Sequence, residues 1–308
     1  MESMNKKIKT QVKIGKLILK NPVMPASGTF GYGLEFEKFF DLSKLGAIVT
    51  KGISIFPVKG NKPQRLVETP SGLLNSIGLQ NIGVDNFINE KLPLLRNYKV
   101  PIIANIYGKT IEEYLLVAKK LQDAKLEAIE INISCPNVKK GGIQFASDKT
   151  IIKKLLTKIK KIYSGTIIVK LSPNTGNLEE IAKLCEEYGA DSVSLINTIT
   201  GMMIDINKRK PILGNVFGGL SGPAIKPIAL AMVHKVYKKV KIPIIGIGGI
   251  IDYKDALEFL IAGATAIQIG SANFRDPLVC VNVIKDIENY MIKNNISNIT
   301  SITGSLNY

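Results

Sequence analysis

Eight short runs rich in isoleucine and valine recur along the chain, and each is apolar at most positions. Strands that are apolar on both faces are typical of a parallel sheet covered by helices. The alternation of such runs with helical stretches therefore constrains the fold more than any other feature. The runs are 21–27, 46–52, 101–108, 128–134, 166–172, 192–198, 243–249 and 266–271.

Each run is followed by a segment with helical spacing, and Asp252 and Thr110 stand where helix N-caps are expected. Eight strand–helix units in 308 residues predict an α/β protein, a (β/α)₈ TIM barrel. The first segment predicts a β-hairpin that turns at Gly15 and covers the barrel bottom. The helices are expected near 35–44, 85–97, 110–124, 149–163, 177–188, 223–240, 252–262 and 276–293.

No linker or break in composition divides the chain, so we expect a single domain over 1–308. Two connections are long, at 53–84 after the second strand and at 199–222 after the sixth. Long loops at the C-terminal face of such a barrel usually build the active site. We therefore expect both connections to lie over that face.

Composition excludes several classes of function. The net charge is +16, but only four of the 41 basic residues are arginine, so we expect a solvated lysine coat and no nucleic-acid partner. One histidine and three scattered cysteines disfavour a histidine triad, a metal site and an iron–sulfur cluster in this chain. No apolar run is long enough to span a membrane and no signal peptide is evident, so we expect a cytoplasmic protein.

Glycines follow the last two strands. Gly248 and Gly249 end the seventh run, and Gly270 with Ser271 ends the eighth. Backbone N–H groups at such turns bind phosphate, and the last two loops of a barrel are the usual place for it. Gly222, in the glycine-rich loop 218–224, adds a third cluster. We expect a phosphate site here, although tight turns alone also use such glycines.

Amides and lysines stand where other strands end. Asn75, Asn105, Asn132 and Asn197 would face the barrel mouth, and several converging amides suit a small heterocycle, although any single one can be a local loop cap. Lys51 and Lys170 also end strands. Each is a candidate cation for an anionic or electron-rich ligand, a candidate Schiff-base nucleophile, or a side chain that reaches solvent.

Cys135 follows the fourth strand and is a candidate base or nucleophile. Cys185, Cys280 and His234 fall on helical segments, and we expect structural roles for them.

Nine motifs follow one another along nearly the whole chain: MPASGTFGYG, TKGIS, NSIGLQN, NISCPNVKKGG, VKLSPN, SLINT, GGLSGPAIKP, IGIGGI and IQIGSA. Taken together and in this order, they resemble the FMN-dependent dihydroorotate dehydrogenases. Cysteine in the SCPN motif is similar to class 1, whereas the membrane-bound class 2 carries serine there. The form SCPNVKKGG together with NSIGLQN resembles class 1B catalytic subunits.

The resemblance implies roles residue by residue. Cys135 is implied as the catalytic base, assisted by Lys51, and no metal is implied. The implied FMN contacts are Ser27, Lys51, Gly52, Asn105, Asn132, Lys170, Ile196, Gly222, Gly248, Gly249, Gly270 and Ser271. The implied dihydroorotate contacts are Lys51, Asn75, Ser76, Ile77, Gly78, Leu79, Asn132, Asn197 and Thr198.

The implied reaction is the oxidation of (S)-dihydroorotate to orotate in pyrimidine biosynthesis, with one FMN per chain. Cys135 would take the C5 proton, and hydride would pass from C6 to flavin N5. The resemblance also implies a homodimer of this chain, joined by a partner subunit that carries FAD and a [2Fe–2S] cluster and reduces NAD⁺. That arrangement corresponds to a heterotetramer with two copies of each chain.

Three alternatives remain open on the sequence. The first is a class 1A-type homodimer that uses fumarate. The second is another FMN barrel, such as a dihydropyrimidine or dihydrouridine reductase. The third is a non-catalytic barrel that binds phosphate or nucleic acid.

Overall fold

Eight parallel strands form one sheet that wraps around the centre of the molecule. The computed structural model describes residues 8–133 and 148–308. Each strand pairs with the next along the chain from β2 to β8, and β8 pairs with β1. The predicted (β/α)₈ barrel is therefore confirmed. The strands are β1 Val23–Pro25, β2 Ile48–Val49, β3 Ile102–Ile106, β4 Ala128–Asn132, β5 Thr166–Lys170, β6 Ser192–Leu195, β7 Ile244–Ile247 and β8 Ala266–Ile269.

The barrel closes between β1 and β2, and we call this contact the seam. It has no regular ladder of backbone hydrogen bonds. Gly46 N donates to Val23 O at 2.9 Å. The Asn21 side chain lies beside this bond, because its Nδ2 donates to Lys44 O at 2.9 Å while its Oδ1 accepts from Val23 N at 3.1 Å. A Cβ added at Gly46 would lie 2.2 Å from Asn21 O, so only glycine fits here.

Helices cover the outside of the sheet between successive strands. Asp252 caps the helix that begins at Tyr253, as expected, since its Oδ1 accepts from Lys254 N and Asp255 N. Thr110 caps the helix that begins at Ile111 by accepting from Glu113 N at 3.2 Å. A π-helical turn over Phe87–Lys91 joins the first two helices. The helices are α1 Val84–Asn86, α2 Leu92–Arg96, α3 Ile111–Asp123, α4 Lys149–Ile162, α5 Leu178–Glu187, α6 Lys226–Tyr237, α7 Tyr253–Ala262 and α8 Val279–Lys293.

The prediction of a helix at 35–44 is wrong. Two short 3₁₀ turns, Leu34–Phe36 and Leu42–Lys44, stand in its place. The Asp41 side chain accepts from Ser43 N at 2.8 Å and from Ser43 Oγ at 2.7 Å, which starts the second turn. An aspartate that bonds to nearby backbone competes with helix propagation in this way.

The N-terminal hairpin consists of strands Val12–Ile14 and Leu17–Leu19, with Gly15 in the turn at φ +56°. Lys16 N donates to Thr166 Oγ1 at 3.0 Å, at the start of β5. The hairpin therefore covers the N-terminal end of the barrel, as predicted.

The two long connections meet in a four-stranded antiparallel sheet at the opposite end of the barrel. We call it the upper sheet. Its strands, in spatial order, are Ile199–Gly201, Gly218–Ser221, Gly72–Asn75 and Leu66–Thr69.

The two helical cysteines and the histidine lie away from the barrel mouth, in surroundings typical of structural residues. Cys185 and Cys280 are fully buried, and burial raises the pKa of Cys185 to about 12. His234 Nδ1 lies 3.2 Å from Ala262 O. Among the helices that the structure describes, none has the length and apolar character needed to cross a membrane.

Candidate functional site

The predicted site residues that the structure describes lie at one end of the barrel. Gly52 stands beside Asn105, because Thr50 N donates to Ile103 O and Ile53 N donates to Asn105 O. Asn132 and Lys170 are direct neighbours at the ends of β4 and β5. The other strand-end residues follow the strands that precede them and reach the same mouth: Ser27, Lys51, Ile196, Asn197, Gly248, Gly249, Gly270 and Ser271.

The three glycine clusters converge. A Cβ added at Gly249 would lie 2.8 Å from Gly222 O, and one added at Gly222 would lie 3.6 Å from Ser271 Oγ. Gly222, Gly248 and Gly249 all have positive φ, at +94°, +137° and +72°. Glycine is the residue that adopts such angles without strain and leaves its N–H groups open to a ligand. We call Gly222, Gly248, Gly249, Gly270 and Ser271 the glycine cradle.

Ile196 and Ser27 border the cradle. A Cβ added at Gly248 would lie 3.6 Å from Ile196 Cγ1, and one at Gly270 would lie 3.7 Å from Ala26 Cβ, next to Ser27. Backbone bonds hold this edge, since Ala26 N donates to Ile269 O and Ile196 N donates to Ile247 O. The cradle thus has an apolar side chain on one flank and a half-buried serine on the other.

A buried carboxylate lies below the mouth, inside the barrel. Glu130 is fully buried in β4. Its Oε1 accepts from Asn105 Nδ2 at 2.6 Å, and its Oε2 accepts from Ser194 Oγ and Gln268 Nε2, both at 2.8 Å. Lys170 Nζ lies 3.9 Å from Glu130 Oε1. The Glu130 carboxylate in β4 therefore interacts with side chains from four other barrel strands, β3, β5, β6 and β8.

Two buried acceptors in this network have no hydrogen-bond partner among the described residues. They are Asn105 Oδ1 and Gln268 Oε1. Asn105 Oδ1 would lie 3.2 Å from a Cβ added at Gly52. Buried polar atoms are nearly always paired in folded proteins, so an orphaned acceptor at a barrel mouth indicates a ligand that donates to it.

Lys51 follows β2 and is half-buried. Its backbone N donates to Gly31 O at 2.7 Å, which fixes the residue against the loop after β1. Burial lowers the pKa of its ammonium, an effect that Glu35 partly opposes. Within 8–133 and 148–308, no hydrogen bond or ion pair engages Lys51 Nζ. Its cation is therefore available to an anionic ligand.

Asn81 holds the loop that carries Ile77, Gly78 and Leu79. Its Nδ2 donates to Leu79 O and to Tyr107 Oη, each at 2.9 Å. Its Oδ1 accepts from Gly83 N at 2.8 Å and from Ser54 N at 3.2 Å. Both Gly78 and Leu79 have positive φ, at +75° and +55°. The loop is thus fixed in a conformation that turns its backbone sharply.

The upper sheet brings the remaining predicted substrate residues together. Asn75 Nδ2 donates to Gly219 O at 3.1 Å. A Cβ at Gly219 would lie 2.0 Å from Thr198 Oγ1, so this glycine allows Thr198 to approach. Asn197 Oδ1 accepts from Thr198 N at 2.8 Å. Ser76 is buried, and its carbonyl accepts from Asn61 Nδ2 at 3.1 Å.

Cys135, the predicted base, lies outside the described residues. The structure describes the chain as far as Ile133, directly after β4. The position of Cys135 therefore stays a prediction.

Sequence reasoning missed the interior network. Glu130, Ser194 and Gln268 each stand between apolar residues within a barrel strand. A charged or amide side chain in the middle of an otherwise apolar strand was the available signal, because such groups are buried only with partners.

Comparison with known proteins decides the family. Residues 9–291 match the dihydroorotate dehydrogenase family model. The chain is 55% identical over 296 residues to a protein of Thermoanaerobacter sp. (strain X514), covering 96% of this chain and 98% of the relative. The chain belongs to the dihydroorotate dehydrogenase family. The resemblance predicted from its motifs is thereby confirmed.

Other relatives of this dihydroorotate dehydrogenase family member carry the same name. It is 53% identical over 296 residues to a Geotalea uraniireducens (strain Rf4) protein, covering 96% of this chain and 97% of the relative. It is 51% identical over 300 residues to one of Alkaliphilus metalliredigens (strain QYMF), covering 97% and 99%. These proteins and the Thermoanaerobacter relative are named dihydroorotate dehydrogenase B (NAD⁺), catalytic subunit.

Proposed function

We propose that this chain oxidises (S)-dihydroorotate to orotate with bound FMN, as the catalytic subunit of an NAD⁺-linked dihydroorotate dehydrogenase. Family membership supports the reaction class. Within the structure, the orphaned Asn105 Oδ1 at the mouth, on the same end of the barrel as the glycine cradle, carries the proposal.

The residues fit FMN. The glycine cradle offers backbone N–H groups and the Ser271 hydroxyl to a phosphate, as expected after the last two strands of a barrel. Asn105 Oδ1 accepts from a ring N–H, and the Lys170 ammonium stabilises negative charge. When bound, FMN supplies hydride acceptance from C6 of the substrate.

The residues of the loop after β2 and the amides at the barrel mouth fit the substrate. Lys51 binds the carboxylate of dihydroorotate, helped by the backbone of Gly78 and Leu79. The amides of Asn75, Asn132 and Asn197 read the alternating carbonyl and N–H edges of the pyrimidine ring. Cys135 stays the predicted group that removes the C5 proton.

Electron transfer beyond the flavin belongs to a partner. The relatives are named as catalytic subunits, which implies another subunit. We propose that the partner carries FAD and a [2Fe–2S] cluster and joins a homodimer of this chain in a heterotetramer. With three cysteines, this chain cannot supply a Cys₄ cluster of its own.

An anaerobic visible spectrum tests the proposal. The purified chain, reconstituted with FMN, should be yellow and should bleach when (S)-dihydroorotate is added. A yellow protein that does not bleach contradicts the substrate, and a chain that does not take up FMN contradicts the cofactor. Reoxidation of the bleached chain by fumarate would favour the class 1A-type alternative over the NAD⁺-linked one.

A further inference from the structure

We propose that Glu130 is a positioning residue for the cofactor site. Its carboxylate fixes the orientation of the Asn105 amide and places a counter-charge beside Lys170. As a result, the site presents a fixed acceptor and a partly balanced cation to FMN. This inference rests on the proposed function, because it concerns the same bound flavin.

Both oxygens of the Glu130 carboxylate accept hydrogen bonds. Asn105 approaches one oxygen at 2.6 Å, and Ser194 and Gln268 approach the other at 2.8 Å. An ionised carboxylate accepts hydrogen bonds and donates none. Each amide must therefore turn its NH₂ group toward Glu130 and its oxygen away from it.

The orientation of Asn105 follows directly. With Nδ2 held by Glu130, its Oδ1 faces the space beside Gly52 and finds no partner in the described ranges. An amide without this anchor could rotate and offer its NH₂ to the ligand instead. Glu130 thus decides whether the site offers an acceptor or a donor at this point.

Lys170 is the cation of the network. Its Nζ lies 3.9 Å from Glu130 Oε1, and both side chains are buried, at 7% and 0% exposure. Removing a charge from water is costly, and an opposite charge nearby offsets part of that cost. The 3.9 Å contact is an ion pair rather than a hydrogen bond. Since no other side chain or backbone group within 8–133 and 148–308 bonds to Lys170 Nζ, its donors are open to a ligand.

The charges therefore act on the flavin together. Lys170 favours the reduced, more negative flavin, and Glu130 offsets part of that effect. Replacing Glu130 by glutamine leaves the cation uncompensated and frees the Asn105 amide to rotate. The uncompensated Lys170 charge favours reduced FMN over oxidised FMN. Rotation of the Asn105 amide weakens the binding of oxidised FMN.

The central experiment compares Glu130→Gln with the unchanged chain. FMN affinity of the apoprotein is measured by quenching of flavin fluorescence, and the midpoint potential of bound FMN by equilibration with redox dyes. We expect oxidised FMN to bind about tenfold or more weakly. We also expect the ratio of the two affinities to shift about tenfold toward reduced FMN, which is about 30 mV for a two-electron couple.

Glu127→Gln is the matched control. It makes the same substitution at an exposed position just before β4. Its FMN affinity and midpoint potential should equal those of the unchanged chain.

A double-mutant cycle separates positioning from a merely structural role. If Glu130 acts on FMN binding through Asn105, Glu130→Gln should weaken binding far less in an Asn105→Ala background than alone. Fully additive losses would overturn the proposal. Should Glu130→Gln not fold, Glu130→Asp keeps the charge but withdraws the carboxylate from Asn105, so binding should weaken while the potential stays near its original value.

The outcomes distinguish the two proposals. If the unchanged chain neither binds FMN nor bleaches with dihydroorotate, the proposed function fails. If it does both and the folded Glu130 variants match it in affinity and potential, the function stands and the role of Glu130 is overturned.

Discussion

The half-buried charge of Lys51 links the stability of the fold to the proposed binding of a carboxylate. Burial lowers the pKa of its ammonium, so the charged form is less favourable in the folded chain than in the unfolded one. Any destabilisation that results is present below the folded-state pKa and is relieved as the pH rises through it. A ligand carboxylate would stabilise the same charge.

We therefore predict that Lys51→Met weakens ligand binding without lowering the stability of the fold. The affinity for orotate, measured by titration of the flavin absorbance, should fall about tenfold to a hundredfold with loss of a charge-assisted hydrogen bond. The urea midpoint at neutral pH should not fall, because a desolvated charge has been removed.

The pH dependence provides a second readout. In the unchanged chain the dissociation constant for orotate should rise with pH, beginning below the usual lysine range, as Lys51 loses its proton. Lys51→Met should lack that contribution. Lys62→Met, at an exposed position of the same connection, should leave both affinity and pH profile unchanged. An equal loss in both variants would remove Lys51 from the carboxylate role.

For single residues, the sequence predicts where in the barrel a side chain lies better than it predicts which side chains it contacts. Lys170 and Asn105 were predicted from their places at or near strand ends, and the topology of the barrel places their strands on either side of β4. Their connection through Glu130 was not predicted. That connection depends on which interior side chains face each other across the barrel, and a single strand does not contain this information.

The glycine cradle belongs to the scale of elements, because three loops must approach one another to form it. Gly249→Ala would place a Cβ 2.8 Å from Gly222 O, at a φ of +72° that non-glycine residues adopt at a cost of about 1–2 kcal/mol. We predict at least a tenfold loss of FMN affinity, measured by fluorescence quenching on the apoprotein.

Gly176→Ala is the control for this prediction. It lies in the loop after β5, with no heavy atom within 4 Å of an added Cβ. Its FMN affinity should match that of the unchanged chain. Undiminished FMN binding by Gly249→Ala would mean that the cradle does not hold the cofactor.

Periodicity predicted the regular elements, and local chemistry determined the exceptions. The eight strands were predicted because each is apolar on both faces. The 35–44 segment contains a helix-like pattern, but it forms two 3₁₀ turns, and the Asp41 side chain caps the second of them by accepting from Ser43 N. The upper sheet was expected only as two long loops, because Gly72–Asn75 and Gly218–Ser221 pair across more than a hundred residues.

Closure of the whole barrel depends on the seam between β1 and β2, which lacks the regular ladder of backbone hydrogen bonds that joins the other strand pairs. Between β1 and β2, Gly46 and Asn21 supply bonds in place of a regular ladder. A barrel has no free edge only while its seam is closed. If the chain is one domain over 1–308, as predicted, opening the seam should weaken the entire molecule rather than one part.

We predict that Gly46→Ala lowers the free energy of unfolding by about 3 kcal/mol, because a Cβ 2.2 Å from Asn21 O forces the strands apart. Asn21→Ala should lower it by about 2 kcal/mol, since Val23 N, which is buried, and Lys44 O, which is partly buried, both lose their partner. Urea unfolding followed by far-UV circular dichroism and by tyrosine fluorescence should give one coincident transition for each variant. Two separate transitions would contradict the single-domain prediction, and unchanged midpoints in both variants would show that the seam does not limit the stability of the barrel.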